Sequence, residues 1–274
     1  MNKRAETFYF LMTMIIVLVV AFLLLTMSKT LGDKLGEQAD IVTCKESVEL
    51  SALTKVGGVQ TTNAIKCPTQ YVTLYDDDEE KLKKGLAKKM ADCFYQFGEG
   101  QLELFPLYPG KNTHFCAVCS VIEFDEDAKA QELTGMSKYL LQNNVPNIYG
   151  KESYYEYLFG KKPTAKVLQD VETVDDTIDT NNPYSIIYLY DKTGKVGKVF
   201  TGSAGAIAGL GLGVATGGVG YFAVGTAFAG GALGLTLGSG ESATWSYATA
   251  LYPYSTESLN ELGCEEIAVA QGNK

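Results

Sequence analysis

The stretch VFTGSAGAIAGLGLGVATGGVGYFAVGTAFAGGALGLTLGSG, residues 199–240, runs 42 residues without a charge between Lys198 and Glu241. Glycine recurs every fourth residue at Gly205, Gly209, Gly213 and Gly217, and again at Gly230, Gly234 and Gly238. On a helix that spacing lines one face, where a missing side chain lets another backbone approach closely. Gly218-Val219-Gly220-Tyr221 lies between the two runs and reads as a reversal. Two helices of about 18–20 residues would each be long enough to cross a hydrocarbon core of ~30 Å. The stretch therefore reads as a membrane-inserted helical hairpin with glycine faces for packing.

Its flanks set a condition. Tyr184–Tyr190 reads as a strand, Asp191-Lys192-Thr193-Gly194 as a hairpin turn into Lys195–Val199, and Thr244–Tyr254 alternates as a strand again. If both flanking strands share one sheet, the hairpin is an insertion that leaves and returns on the same side.

A second apolar block stands at the N-terminus. Phe8–Met27 is 20 residues without a charge, preceded by Lys3, Arg4 and Glu6. It is too long for a signal core and lacks small residues at a cleavage point, so it reads as an uncleaved transmembrane anchor. Lys3 and Arg4 put residues 1–7 in the cytoplasm and the rest outside. The basic lead, the glutamate and the apolar helix resemble a type IV pilin or archaellin N-terminus. That family's processing site, a basic residue then glycine, is not present in Lys3-Arg4-Ala5-Glu6-Thr7.

Between the apolar blocks, residues 28–198 read as the first part of an exported α+β domain with a mixed sheet, closed by strands in 241–274. Cys67–Tyr75 alternates and is β-branched, as a strand does. Asp76-Asp77-Asp78-Glu79-Glu80 opens a helix over Glu79–Phe97, because carboxylates are favoured at a helix N-terminus. A calcium loop would need alternating ligands and a glycine turn. On that helix Leu82, Leu86, Met90, Cys93, Phe94 and Phe97 share one side, with the lysines mostly on the other. Gly98-Glu99-Gly100 ends it. His114–Phe124 is a second strand, Ala128–Leu141 and Glu152–Phe159 are helices, and Val167–Asn182 is an acidic surface loop. Thr256–Leu262 is a brief helix and Cys264–Ala270 a last strand.

A net charge of −9 argues against nucleic acid as a partner, since phosphate binding needs a basic face. Six cysteines (Cys44, Cys67, Cys93, Cys116, Cys119 and Cys264) and one histidine, His114, favour disulfides over a metal centre. Six cysteines allow 15 pairings. Cys116 and Cys119 have the spacing of a redox pair, or with His114 of part of a zinc site. In a strand, however, residues three apart face opposite sides. No catalytic constellation stands out, and no cofactor or metal is indicated.

Cys67-Pro68-Thr69, Asp92–Gly100, Phe115–Phe124 and Leu262-Gly263-Cys264 resemble a set of uncharacterised archaeal membrane-anchored proteins, in which an N-terminal anchor precedes a cysteine-bearing exported domain. The resemblance implies a cell-envelope setting and no activity. Together these features predict a non-enzymatic envelope protein in the lipid bilayer, assembling with itself or another membrane protein through glycine-faced helices. The alternatives are an oligomeric pore or transporter component, a pilin-like filament subunit, and a thiol-redox protein at Cys116 and Cys119.

Overall fold

The computed structural model describes residues 3–53, 55–56, 59–60, 65–102, 114–130, 132–150, 152–160, 162–163, 165–171, 177–191, 222–225, 246–256, 259 and 266–268. The chain divides into two compact units, residues 1–43 and residues 44–274. The first consists of most of one helix, α1 (Lys3–Leu53), whose end continues into the second unit. At 1.5 Å per residue, its 51 residues extend about 77 Å. From Met12 to Val20, and again at Phe22, every described side chain is exposed, with Leu18 at 66% and Phe22 at 67%.

This helix corrects the expected anchor. Among the described residues no helix is long and apolar enough to cross a membrane. The helix does not stop at Met27 but runs on through Lys29, Asp33, Lys34, Glu37 and Asp40 to Leu53. The N-terminal transmembrane helix is therefore not supported, and neither is a membrane-anchored location with a cytoplasmic N-terminus.

In the second unit, β1 (Lys55–Val56) and β2 (Val59–Gln60) form a small antiparallel ribbon. Next come β3 (Gln70–Leu74), α2 (Glu79–Gln96) and β4 (His114–Phe124). The expected helix over Ala128–Leu141 is instead a 3-10 turn, β5 (Glu132–Leu133) and α3 (Met136–Gln142), broken at Gly135 with φ 70°. Then follow α4 (Tyr154–Phe159), α5 (Ala165–Asp170) and β6 (Ile178–Asp179). The last two replace part of the expected surface loop, since β6 pairs with β5. The chain closes with β7 (Tyr184–Asp191), β8 (Phe222–Gly225), β9 (Ser246–Pro253) and β10 (Glu266–Ala268).

The main sheet is mixed, in the order β10-β4-β7-β9-β8, with β3 also paired to β4. The pairs β4–β7, β7–β9 and β9–β8 are antiparallel, while β3 and β10 run parallel to β4. Because β7 takes one edge of β4, β3 and β10 share the other, at Ser120–Phe124 and Phe115–Ala117. Asp191 on β7 lies opposite Ser246 on β9, so the chain between them is an insertion between paired strands.

That insertion departs from the helical-hairpin reading where it is described. Phe222–Gly225 would open the second glycine-faced helix; it is the strand β8, paired with Ala248–Leu251. Backbone groups there are satisfied by the neighbouring strand rather than within a helix. The seven glycines Gly205, Gly209, Gly213, Gly217, Gly230, Gly234 and Gly238 lie outside the described residues.

Helix α2 forms as its sequence directs. Asp78 caps it by accepting from the Glu80 amide at 2.9 Å, and Glu79 and Glu80 fill the first turn. Leu82, Leu86, Met90, Cys93 and Phe94 are buried against one face of the sheet, which presents Phe115, Ile122, Ile186, Tyr188 and Leu251. Two of its lysines depart from a fully solvated outer face. Lys83 is buried beside Glu79 and Glu80, and Lys89 is buried with its ammonium on Gln70 Oε1.

Candidate functional site

Three features meet where α1 and α2 end: a disulfide, a left-handed turn and a set of tyrosines. Cys44, Val48 and Ser51 on α1 are buried within the second unit, and Cys44 is bonded to Cys67 just before β3. A cross-link over 23 residues typically contributes about 2–4 kcal/mol by restricting the unfolded chain. Ser47 reinforces the junction, its hydroxyl accepting from the Lys66 amide at 2.9 Å.

Helix α2 ends in three consecutive left-handed residues: Gly98 (φ 72°), Glu99 (φ 56°) and Gly100 (φ 70°). Glu99 is the single non-glycine residue with positive φ among the described residues, a conformation that costs about 1–2 kcal/mol. The flanking glycines are needed for space as well as for φ. A Cβ on Gly98 would meet Leu102, and one on Gly100 would sit 2.0 Å from the Tyr247 ring.

The turn aims the Glu99 carboxylate between two partners. Oε1 accepts a hydrogen bond from the Tyr157 hydroxyl at 2.8 Å, and Oε2 lies 3.7 Å from the Lys45 ammonium. That ammonium also stands 3.5 Å from the centroid of the Tyr95 ring, within cation–π range. Tyr149 packs against both neighbours, with centroid distances of 5.1 Å to Tyr95 and 5.6 Å to Tyr157. Its hydroxyl donates to the buried carboxylate of Asp92, which also takes the Lys88 ammonium at 2.7 Å. Burial pushes the Tyr157 phenol well above its usual range, and the charge of Glu99 adds to the effect. The phenol therefore stays a neutral donor at ordinary pH.

The cysteines resolve differently from a redox or zinc motif. Strand β4 carries a bulge between Val118 and Ser120, which leaves Cys119 as the extra residue. Before the bulge Phe115 and Ala117 face α2; after it Ile122 and Phe124 do so, and Cys119 joins that face. Cys116 lies on the other face with Val118 and Val121. Cys119 is bonded to Cys93 on α2, and Cys116 is also disulfide-bonded. The pair supplies neither a dithiol nor two thiolates for zinc. His114 opens β4, and Cys264 lies outside the described residues.

Sequence reasoning names the cysteines but misses the clasp around Lys45. Its members come from α1, α2, the turn after α2, the segment before α4 and α4 itself. The available signal is Gly98-Glu99-Gly100, where a charged residue stands between two glycines at a helix end. No protein-family model, no curated protein and no solved structure matches this chain.

Proposed function

We propose that the protein is a disulfide-locked assembly subunit that associates with other copies of itself through the apolar stretch of α1. The observation that carries this reading is the exposure of every described side chain from Met12 to Val20, and of Phe22, on one continuous helix. A helix that is apolar on all sides is stable only when covered, and a contiguous exposed apolar surface marks an interaction site. Other copies of the same helix offer a matching surface at the same concentration as the subunit itself.

Two further features support the reading. The disulfides Cys44–Cys67 and Cys93–Cys119 suit a protein working in an oxidising compartment, such as the extracellular space. The first fastens the far end of α1 into the α+β unit, so the helix can carry load without being pulled out. The resemblance of the N-terminus to pilins and archaellins agrees with a filament subunit.

The test is sedimentation velocity on the full chain and on its Leu18→Glu variant, with far-ultraviolet circular dichroism as the folding control. Concentration-dependent assembly by the parent chain, lost in Leu18→Glu with the α+β signal retained, supports the proposal. A parent chain that stays monomeric across the range, or a variant that assembles equally well, overturns it.

A further inference from the structure

We propose that Tyr95, Glu99 and Tyr157 form a receptor for a primary ammonium group, with the Lys45 side chain as its resident ligand. Once that side chain is cut short, the site takes alkylammonium ions from solution. The inference does not depend on how the subunits assemble.

Four observations carry it. An ammonium is already seated there, 3.5 Å from the Tyr95 centroid and 3.7 Å from Glu99 Oε2. Each wall is fixed by something other than Lys45. Tyr157 holds Oε1 and so leaves Oε2 turned to the cation, and Tyr149, itself tied to Asp92, backs the Tyr95 ring. The backbone at Glu99 is left-handed between two glycines that accept no side chain. An ordinary surface ion pair calls for no such turn. Finally, the side chains of Lys45 and Glu99 are 18% and 27% exposed, so the cluster lies at the surface of its unit rather than in the core.

The chemistry selects a compact cation. The face of an aromatic ring is electronegative and attracts a cation set over it, and the carboxylate adds a directional hydrogen-bond acceptor. A primary ammonium has N–H groups for the carboxylate and a small charged head for the ring. Glu49, one turn further along α1, adds negative potential at 4.0 Å from the same ammonium. The nearby Asp92 charge is already met by Lys88.

The test uses the full chain with Lys45→Ala, titrated with n-butylammonium chloride against sodium chloride at equal ionic strength. The receptor reading expects a lower Tm for Lys45→Ala, and a saturable recovery by butylammonium that sodium chloride does not give. The unsubstituted chain, whose site is filled, should respond alike to both salts. Adding Tyr95→Leu should abolish the recovery, whereas adding Tyr95→Phe, which keeps a ring, should preserve it. Identical responses of Lys45→Ala to the two salts, or equal recovery with Tyr95→Leu, overturn the proposal. Should Lys45→Ala not fold, the ε-methylene protons of Lys45 in the parent chain decide the matter. An upfield ring-current shift that persists in Tyr95→Phe and vanishes in Tyr95→Leu supports the receptor; an unshifted resonance in the parent overturns it.

Discussion

Glu99 and Tyr157, 58 residues apart in the chain, meet as carboxylate and phenol at 2.8 Å, with Glu99 held in a backbone conformation that glycine favours. Removing the phenolic hydroxyl in Tyr157→Phe takes the donor from Glu99 Oε1 and leaves the Lys45 ammonium at Oε2. Hydrogen bonds to charged groups contribute about 1.5–3 kcal/mol, and the partial exposure of Glu99 places the expected loss near the lower end. Tyr188 provides the contrast. Its ring stacks on Phe97 at 4.5 Å, but its buried hydroxyl has no hydrogen-bond partner among the described residues. Tyr188→Phe should be neutral or stabilising, as expected when a buried polar group with no partner is removed. Urea unfolding of both variants checks the pair, and the order of their effects is the decisive quantity.

Two glycines separate the cost of a left-handed backbone from the cost of crowding. Gly135 has φ 70° and nothing within 4 Å of an added Cβ, so Gly135→Ala should cost about 1–2 kcal/mol from conformation alone. Gly100 has the same φ, with the Tyr247 ring in the way. Gly100→Ala should cost about 1–3 kcal/mol more, the usual range for overpacking. Equal losses in chemical denaturation would show that the ring moves aside freely.

Much of the fold is legible in the residues. His114–Phe124 and Tyr184–Tyr190 read as strands and are β4 and β7, and the acidic run at Asp76–Glu80 marks the start of α2. The opposite-face rule for residues three apart separates Cys116 from Cys119 correctly. Other features escape for physical reasons. Ile41, Cys44 and Val48 are spaced to be buried on one side of α1, yet Gly32 and Gly36 look like breaks where the helix in fact continues. The bulge at Cys119 has no glycine to announce it. Phe222–Gly225, where the second helix of the hairpin is expected to open, pairs with β9 as a strand instead. The Lys45 clasp depends on residues distant in sequence, and periodicity reports only on neighbours.

The disulfide pattern can be read by peptide mapping without reduction. The expected fragments join Cys44 to Cys67 and Cys93 to Cys119. Cys116 is bonded as well, which leaves Cys264 as the remaining cysteine to find attached to it. The parallel pairing of Ile267 with Cys116 brings the end of the chain to that strand. A fragment joining Cys116 to Cys119 would contradict the strand geometry.

Alkaline pH should unfold the protein cooperatively through its tyrosines. Burial pushes the Tyr184 phenol up to about 12, and raises Tyr188 and Tyr247 as well. With folded values above the ordinary value near 10, the native state holds these protons longer than the unfolded chain does. Their contribution is therefore complete below pH ~10 and is lost as pH rises toward 12. Each such tyrosine steepens the decline by up to about 1.4 kcal/mol per pH unit. Tyrosinate absorbance near 295 nm should rise first from phenols that burial does not hold protonated. A second rise should coincide with loss of circular dichroism; smooth titration of every tyrosine in a still-folded protein would contradict the burial described.

The central claim, that copies of this chain join through the apolar part of α1, is tested most directly by site-specific photo-crosslinking. A photoreactive residue in place of Leu18 in the full chain, activated after assembly, should link one copy to another, with the acceptor peptide inside residues 8–27. Crosslinks confined to the α+β unit, or the absence of any link between copies at concentrations where the parent chain assembles, would contradict the account.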